Sequence, residues 1–147
     1  MQGQHSSAEM MFKSMPVDLV LVRHGESESN LAQKLALRGH IQAWSDEFRK
    51  RHNSRCRLTD RGRHQAVKAG EWIKRHIGNY FDVYLTSEYV RAMETAAHLA
   101  LPSASWRTEF YLRERDRGVL ANMPKQERHA EFPGEREQQA KKDLTLS

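Results

Sequence analysis

Cysteine is nearly absent. Cys56 stands alone in 147 residues, which excludes an intrachain disulfide and a cysteine-rich metal site. A reducing, cytoplasmic setting is the expectation. Membrane-length apolar runs are also missing. The N-terminal MQGQHSSAEMMFKSMP has no long apolar core and reads as a flexible polar arm over residues 1–16, not a signal peptide. There are 8 histidines but neither HExxH nor paired cysteines at ligand spacing, so no metal and no cofactor are expected. Internal repeats are absent as well. Acidic charge is in deficit, with 19 Asp and Glu against 24 Lys and Arg, a net charge of +5. That balance favours anionic partners: nucleic acid, acidic membrane surfaces or small phosphorylated molecules. Mean hydropathy is low, at −0.83, yet the length suffices for one domain with its own core.

What is present has a strand–helix rhythm. Residues 17–22, VDLVLV, form a short apolar run of the kind buried in a parallel sheet. The segment 31–57 is mixed. Ile41, Trp44, Ser45 and Phe48 suggest a short amphipathic helix that ends in the basic run Arg49-Lys50-Arg51-His52. That run reads either as a solvated helix end or as a lid beside Asn30. Thr59 is placed to cap a helix from Asp60 to about His76, with Ala66, Gly70, Ile73 and Ile77 as its apolar stripe and Gly78-Asn79 as its stop. Phe81, Val83 and Leu85 alternate with polar residues as a strand. Ser87 is then expected to cap a helix whose inner face is Val90, Met93, Ala97 and Ala100. A further strand is expected within 105–112. Beyond Gly118 the pattern breaks up at Pro124, Pro133 and Gly134. The order predicts βαβ units and parallel strands. It divides the chain into the arm 1–16, an α/β domain over 17–120 and a charged, loosely ordered tail over 121–147.

Chemistry-bearing residues recur at the ends of the three expected strands. Arg23-His24-Gly25 follows the first, Ser87 and Arg91 the second, and Glu114 the third. Parallel strands would bring these places to one sheet edge, where ligands of open α/β folds bind. Two guanidiniums suit a phosphoryl group because the planar fork binds it bidentately. A neutral imidazole can attack phosphorus, and a carboxyl group can hand a proton to the leaving oxygen and then activate water. Gly25 would allow close approach of backbone and ligand. Taken singly, each of these residues also reads as ordinary surface chemistry.

The string LVRHGESESN resembles the opening motif of the histidine phosphatase superfamily, the phosphoglycerate-mutase-like proteins. LTDRGRHQA, VYLTSEYVRAMETA and LRERDRG resemble later family segments in the right order. The resemblance implies a three-layer α/β sandwich with a mainly parallel central sheet flanked by helices. It implies His24 as the phosphorylated nucleophile and Glu114 as the acid. Arg23, Asn30 and Arg91 are implied as phosphate ligands. The implied partner is a small phosphorylated substrate, with nucleic acid and membrane disfavoured. The family's later strand and His-Gly motif have no counterpart here. His129, in ERHAEFPGE, follows no apolar run and is not assigned. The sheet is therefore expected to be incomplete in its C-terminal part, with a gap between the first two strands and unpaired apolar faces. The expected function is hydrolysis of a phosphomonoester through a phosphohistidine, with reduced or lost activity in this chain. The alternatives are a non-catalytic phosphate-ester-binding remnant and a phosphoglycerate-mutase-type phosphotransferase. A third reading takes Arg38, Arg49, Lys50, Arg51, Arg55, Arg57, Arg61 and Arg63 as a nucleic-acid-binding stripe.

Overall fold

The computed structural model of the chain describes residues 18–115 and 117–134. The expected arm, Val17 and residues 135–147 of the expected tail lie outside the described residues. The helices are α1 (Glu28–Leu37), α2 (Asp46–Lys50), α3 (Asp60–His76), α4 (Val90–His98) and α5 (Lys125–Glu131). The strands are β1 (Tyr84–Thr86) and β2 (Trp106–Thr108). Short 3-10 turns occupy Ile41–Ala43, Asn53–Arg55, Phe110–Leu112 and Gly118–Asn122. The fold is thus mixed α/β, and its small sheet is parallel.

The unit β1–α4–β2 is the parallel crossover that the sequence predicts. Tyr84, Leu85 and Thr86 pair with Trp106, Arg107 and Thr108. Ile73, Tyr84, Leu99 and Leu101 form the core beneath this sheet, with Val20, Ala69, Phe81, Ala104 and Trp106 packed against them. A second cluster joins Ala32, Ala36 and Trp44 to Ala43 and Phe48. In it the Trp44 and Phe48 rings meet edge to face, with centroids 5.4 Å apart.

Helix α3 follows its sequence signals closely. The Thr59 hydroxyl accepts the Gly62 N–H at 3.1 Å, and Lys74, Arg75 and His76 fill the last turn, where cations favour the dipole. Its buried face is Gly62, Ala66, Gly70 and Ile73. Ile77 sits past the last turn and is exposed. Thr59→Ala is expected to lower stability by about 1 kcal/mol, the usual loss for a missing N-cap. A urea melt of the variant beside wild type checks this, and an unchanged midpoint would contradict the assigned cap.

Four expectations are corrected. Residues 18–22 form no ladder. Val20 joins the core, but Leu19 and Leu21 are 70% and 83% exposed. Among the described residues no backbone group of this stretch finds a hydrogen-bond partner, and without a neighbouring strand an apolar run cannot become one. Strand β1 is the second correction. It buries Tyr84 and Thr86 and exposes Leu85, with Val83 also exposed just before it. Tyr84 is drawn inward by edge-to-face contacts with Phe81 and Trp106 at 5.8 and 5.4 Å. Third, Tyr89 and not Ser87 occupies the N-cap of α4. Fourth, the inward side chains of α4 are Arg91, Thr95 and Ala96, while Met93, Ala97 and Ala100 are exposed and Val90 is half-buried. Polar partners decide this orientation. The Thr95 hydroxyl donates to Arg91 O at 2.7 Å and accepts the Gly25 N–H at 3.2 Å.

Helix α1 has no counterpart in the sequence reading, although its start is marked in the sequence. The Ser27 hydroxyl accepts the Asn30 N–H, and Asn30 Oδ1 accepts the Ser27 N–H at 3.1 Å, a reciprocal capping box. Helix α5 lies within the stretch expected to be loosely ordered. It is tied to α2 by a bidentate Arg49–Glu127 pair, one arm of which measures 2.7 Å.

Candidate active site

The site begins at the corner 23–27, which is clamped on several sides. Glu26 O accepts the Thr59 N–H at 2.9 Å, and Ser27 forms an isolated antiparallel bridge with Leu58. The Glu26 N–H donates to Gln65 Oε1 at 2.8 Å. The Glu26 carboxylate pairs with Lys34 and accepts the Thr59 hydroxyl at 3.0 Å. The Lys34 contact, more than any other, holds its pKa below the ordinary carboxylate value. Gly25 and Gly62 meet backbone to backbone. A Cβ on Gly25 would lie 2.2 Å from Gly62 O, and one on Gly62 would lie 2.1 Å from Glu26 O. The close approach that Gly25 permits is therefore to the start of α3.

His24 is held in one tautomer by its two neighbours. Its Nδ1 lies 2.7 Å from Gly25 O. A carbonyl only accepts, so Nδ1 carries the hydrogen. Arg91 Nε lies 3.2 Å from His24 Nε2. A guanidinium only donates, so Nε2 presents its lone pair. Burial, first of all, pushes the imidazole below its ordinary value, and the charges of Arg91 and Arg23 add to this. The Gly25 hydrogen bond and Glu114 act in the opposite direction. His24 is thus a neutral base with its nucleophilic nitrogen on the Arg91 side.

The lowered pKa has a consequence for stability. Below about 6.5 the unfolded chain protonates this histidine while the folded chain still resists. Stability is therefore expected to fall as pH drops from there through the lower folded value. Urea melts between pH 5 and 8 check this: a His24→Asn chain should lose less stability toward acid than wild type does. Parallel acid limbs would refute the linkage.

Arg91 is 3% exposed and is the hub of the site. Its Nε reaches His24, its Nη1 donates to Asn53 O at 2.8 Å, and its Nη2 pairs with Glu114. Nη1 also lies 3.5 Å from Asn53 Oδ1, so at least three of the five N–H groups are engaged. The structure thus brings His24, Arg91 and Glu114 into one chain of contacts, although they come from three separate stretches. Glu114 itself is largely exposed, at the open end of that chain. Arg23 lines a cavity of about 320 Å³ together with His24, Gly25, Gln65, Ala66 and Ala69. No ion pair ties Arg23 down among the described residues. Asn30 is turned to the helix cap: its Oδ1 accepts the Ser27 N–H and the Ser27 hydroxyl, the latter at 3.0 Å.

Two further residues belong to the site. Asn53, on the 3-10 turn of the long insert, supplies the carbonyl that orients Arg91. The contact joins segments 38 residues apart, so no local sequence signal marks it. Tyr89 packs its ring against the Arg91 guanidinium. Among the described residues no cluster of three or more His, Cys, Asp or Glu is arranged to hold a metal ion. No helix among them is long and apolar enough to cross a membrane.

The parallel βαβ unit thus places Arg91 between the His24 imidazole and the Glu114 carboxylate within a mixed α/β fold. Residues 19–146 match the profile of the histidine phosphatase superfamily (branch 1). The chain belongs to that superfamily. It is 34% identical over 123 residues to the 2,3-bisphosphoglycerate-dependent phosphoglycerate mutase of Mycobacterium leprae (strain Br4923), covering 80% of this chain and 43% of the relative. The enzyme of the same name from Methylobacterium radiotolerans is 37% identical over 118 residues, 78% of this chain and 48% of the relative. That from Mycobacterium bovis is 38% identical over 119 residues, 78% of this chain and 41% of the relative. The chain therefore spans less than half the length of these relatives. No solved structure gives a significant match.

Proposed function

We propose that this chain carries the phosphohistidine half-site of a phosphomonoesterase, with His24 as nucleophile. The observation that carries the reading is the neutral His24, whose Nε2 lone pair faces Arg91 and, through it, Glu114. The Arg91 Nε–H releases the Nε2 lone pair as it turns to the phosphoryl oxygens, and that lone pair forms the N–P bond as the ester P–O bond breaks. In this reading Glu114 leaves its ion pair with Arg91 when the phosphoryl group takes its place, and in its protonated form hands the leaving oxygen its proton. It then takes one back from the water that breaks the N–P bond, which regenerates neutral His24 and releases phosphate. Arg91 turns its N–H groups to the equatorial oxygens. Arg23 approaches from the cavity side, and the amide nitrogen of Asn30 is the part of that side chain available to a ligand. The substrate is a small phosphorylated molecule, and no cofactor enters the scheme. Four of the eight cations in the basic stripe, Arg49, Arg51, Arg57 and Arg63, are paired with Glu127, Glu28, Glu94 and Asp60. That weakens the case for a nucleic-acid surface.

The test is direct. The chain is incubated with a labelled phosphomonoester, quenched in base and mapped by mass spectrometry. An acid-labile, base-stable phosphate on His24 is expected. A folded chain with no adduct would rule out the catalytic reading. If that chain still bound phosphate esters, it would be a binding remnant. A second reading, phosphoryl transfer between phosphoglycerates, is favoured by the names of the relatives. Transfer of the label from His24 to a phosphoglycerate faster than to water would select it.

A further inference from the structure

Tyr89 touches two members of the site and does not act for the helix it begins. It stands at the N-cap of α4, where its side chain makes no capping hydrogen bond. It is 3% exposed. The Arg91 guanidinium carbon lies 4.7 Å from the centroid of its ring. Its hydroxyl donates to the carbonyl oxygen of Glu114 at 3.3 Å. The Arg91–Glu114 ion pair closes the figure. Ring, guanidinium and carboxyl residue thus hold one another in a triangle. An aliphatic side chain would fill the same space in the core. It would lack both the π face that attracts the cation and the phenol that reaches the Glu114 backbone. Glu114 needs such a tether, because it lies outside any helix or strand and is largely exposed.

We propose that Tyr89 is a positioning residue. Its ring sets the plane of Arg91 and its hydroxyl fixes the Glu114 backbone, so that guanidinium and carboxyl group face the same phosphoryl group. The assignment deepens the phosphohistidine reading and rests on it. Tyr89 makes and breaks no bond with substrate, and it acts only through Arg91 and Glu114.

The two halves of the role separate in two variants of the full chain. Tyr89→Phe keeps the ring and loses the tether. An alkyl phosphate, whose leaving oxygen needs a proton, should then turn over about tenfold more slowly, a fraction of what general acid catalysis contributes. p-Nitrophenyl phosphate, whose leaving group needs none, should hold its rate. Tyr89→Leu loses the ring as well, so both substrates should slow and inorganic phosphate should bind about tenfold more weakly. A merely structural tyrosine would lower both rates together, and an unchanged rate ratio in Tyr89→Phe overturns the proposal. A readout without catalysis keeps this separate from failure of the phosphohistidine reading. By NMR relaxation, the Glu114 amide should be less ordered in Tyr89→Phe than in wild type. If wild type forms no adduct, that reading falls, and the NMR result alone decides Tyr89. Equal order at Glu114 in the two chains then refutes the tether.

Discussion

Replacement of His24 by asparagine is expected to abolish the phosphoenzyme and to lower any phosphomonoester turnover by about 10⁶-fold, the scale seen when a nucleophile is removed. Asparagine is chosen because it tests chemistry with little change in packing. Its amide overlays the Nδ1 side of the imidazole and stops short of the Nε2 position, so the guanidinium that His24 Nε2 meets at 3.2 Å loses that one acceptor and keeps Asn53 and Glu114. No amide nitrogen offers a lone pair to phosphorus, so the N–P bond cannot form. Binding of inorganic phosphate should persist, because Arg91 keeps its charge and its Nε–H is released from the imidazole. Quench-flow with labelled ester measures the first effect and equilibrium titration the second. Turnover equal to wild type in the asparagine chain would show that another group does the chemistry.

Gly62→Ala is the second large effect, and it falls on the fold. In an isolated helix this change is favourable, by about 1 kcal/mol. Here the new Cβ would lie 2.1 Å from Glu26 O and 2.9 Å from two more Glu26 backbone atoms. A side chain could rotate away, but a backbone carbonyl held by the Thr59 N–H at 2.9 Å cannot do so freely. The start of α3 or the His24 corner must move. Overpacking against side chains typically costs about 1–3 kcal/mol, and we expect at least the upper end. A small domain has only about 5–15 kcal/mol in total. Gly134→Ala is the control, because a Cβ there meets nothing within 4 Å. Thermal melts should show a marked drop for the first variant and almost none for the second. Equal melting temperatures would mean that the two backbones are not in contact.

The exposed apolar strip is the structural trace of a sheet without its full set of strands. Leu19, Leu21, Val83 and Leu85 are each about two-fifths exposed or more. A parallel sheet normally covers such residues on both faces. The relatives are more than twice as long as the matched part of this chain.

Much of the candidate site is legible in sequence because its corners are marked by abrupt changes in residue type. VLVRHGE passes from apolar to charged within two residues, and LTSEYVR passes from strand to helix in four. Helix α3 was equally plain, since its cap, stripe and stop are all local signals. Helix α1 was passed over because Ser27-x-x-Asn30 is a weaker capping signature than one ending in Glu or Gln. The inner face of α4 was misassigned because hydropathy counts Arg91 and Thr95 as outward residues. Their burial depends on partners at positions 24, 25, 53 and 114, which no window of neighbouring residues contains.

The chain by itself determined which residue types are available for phosphoryl chemistry, and in what order the strand and helix starts arrive. Capping, periodicity and turn chemistry act over a few residues, so they can be read along a line. Tertiary structure alone decided that residue 24 is a neutral base facing Arg91, that Asn53 and Tyr89 share its site, and that two glycines touch through their backbones. These depend on burial and on distances between remote segments, and such distances exist only once the chain has folded.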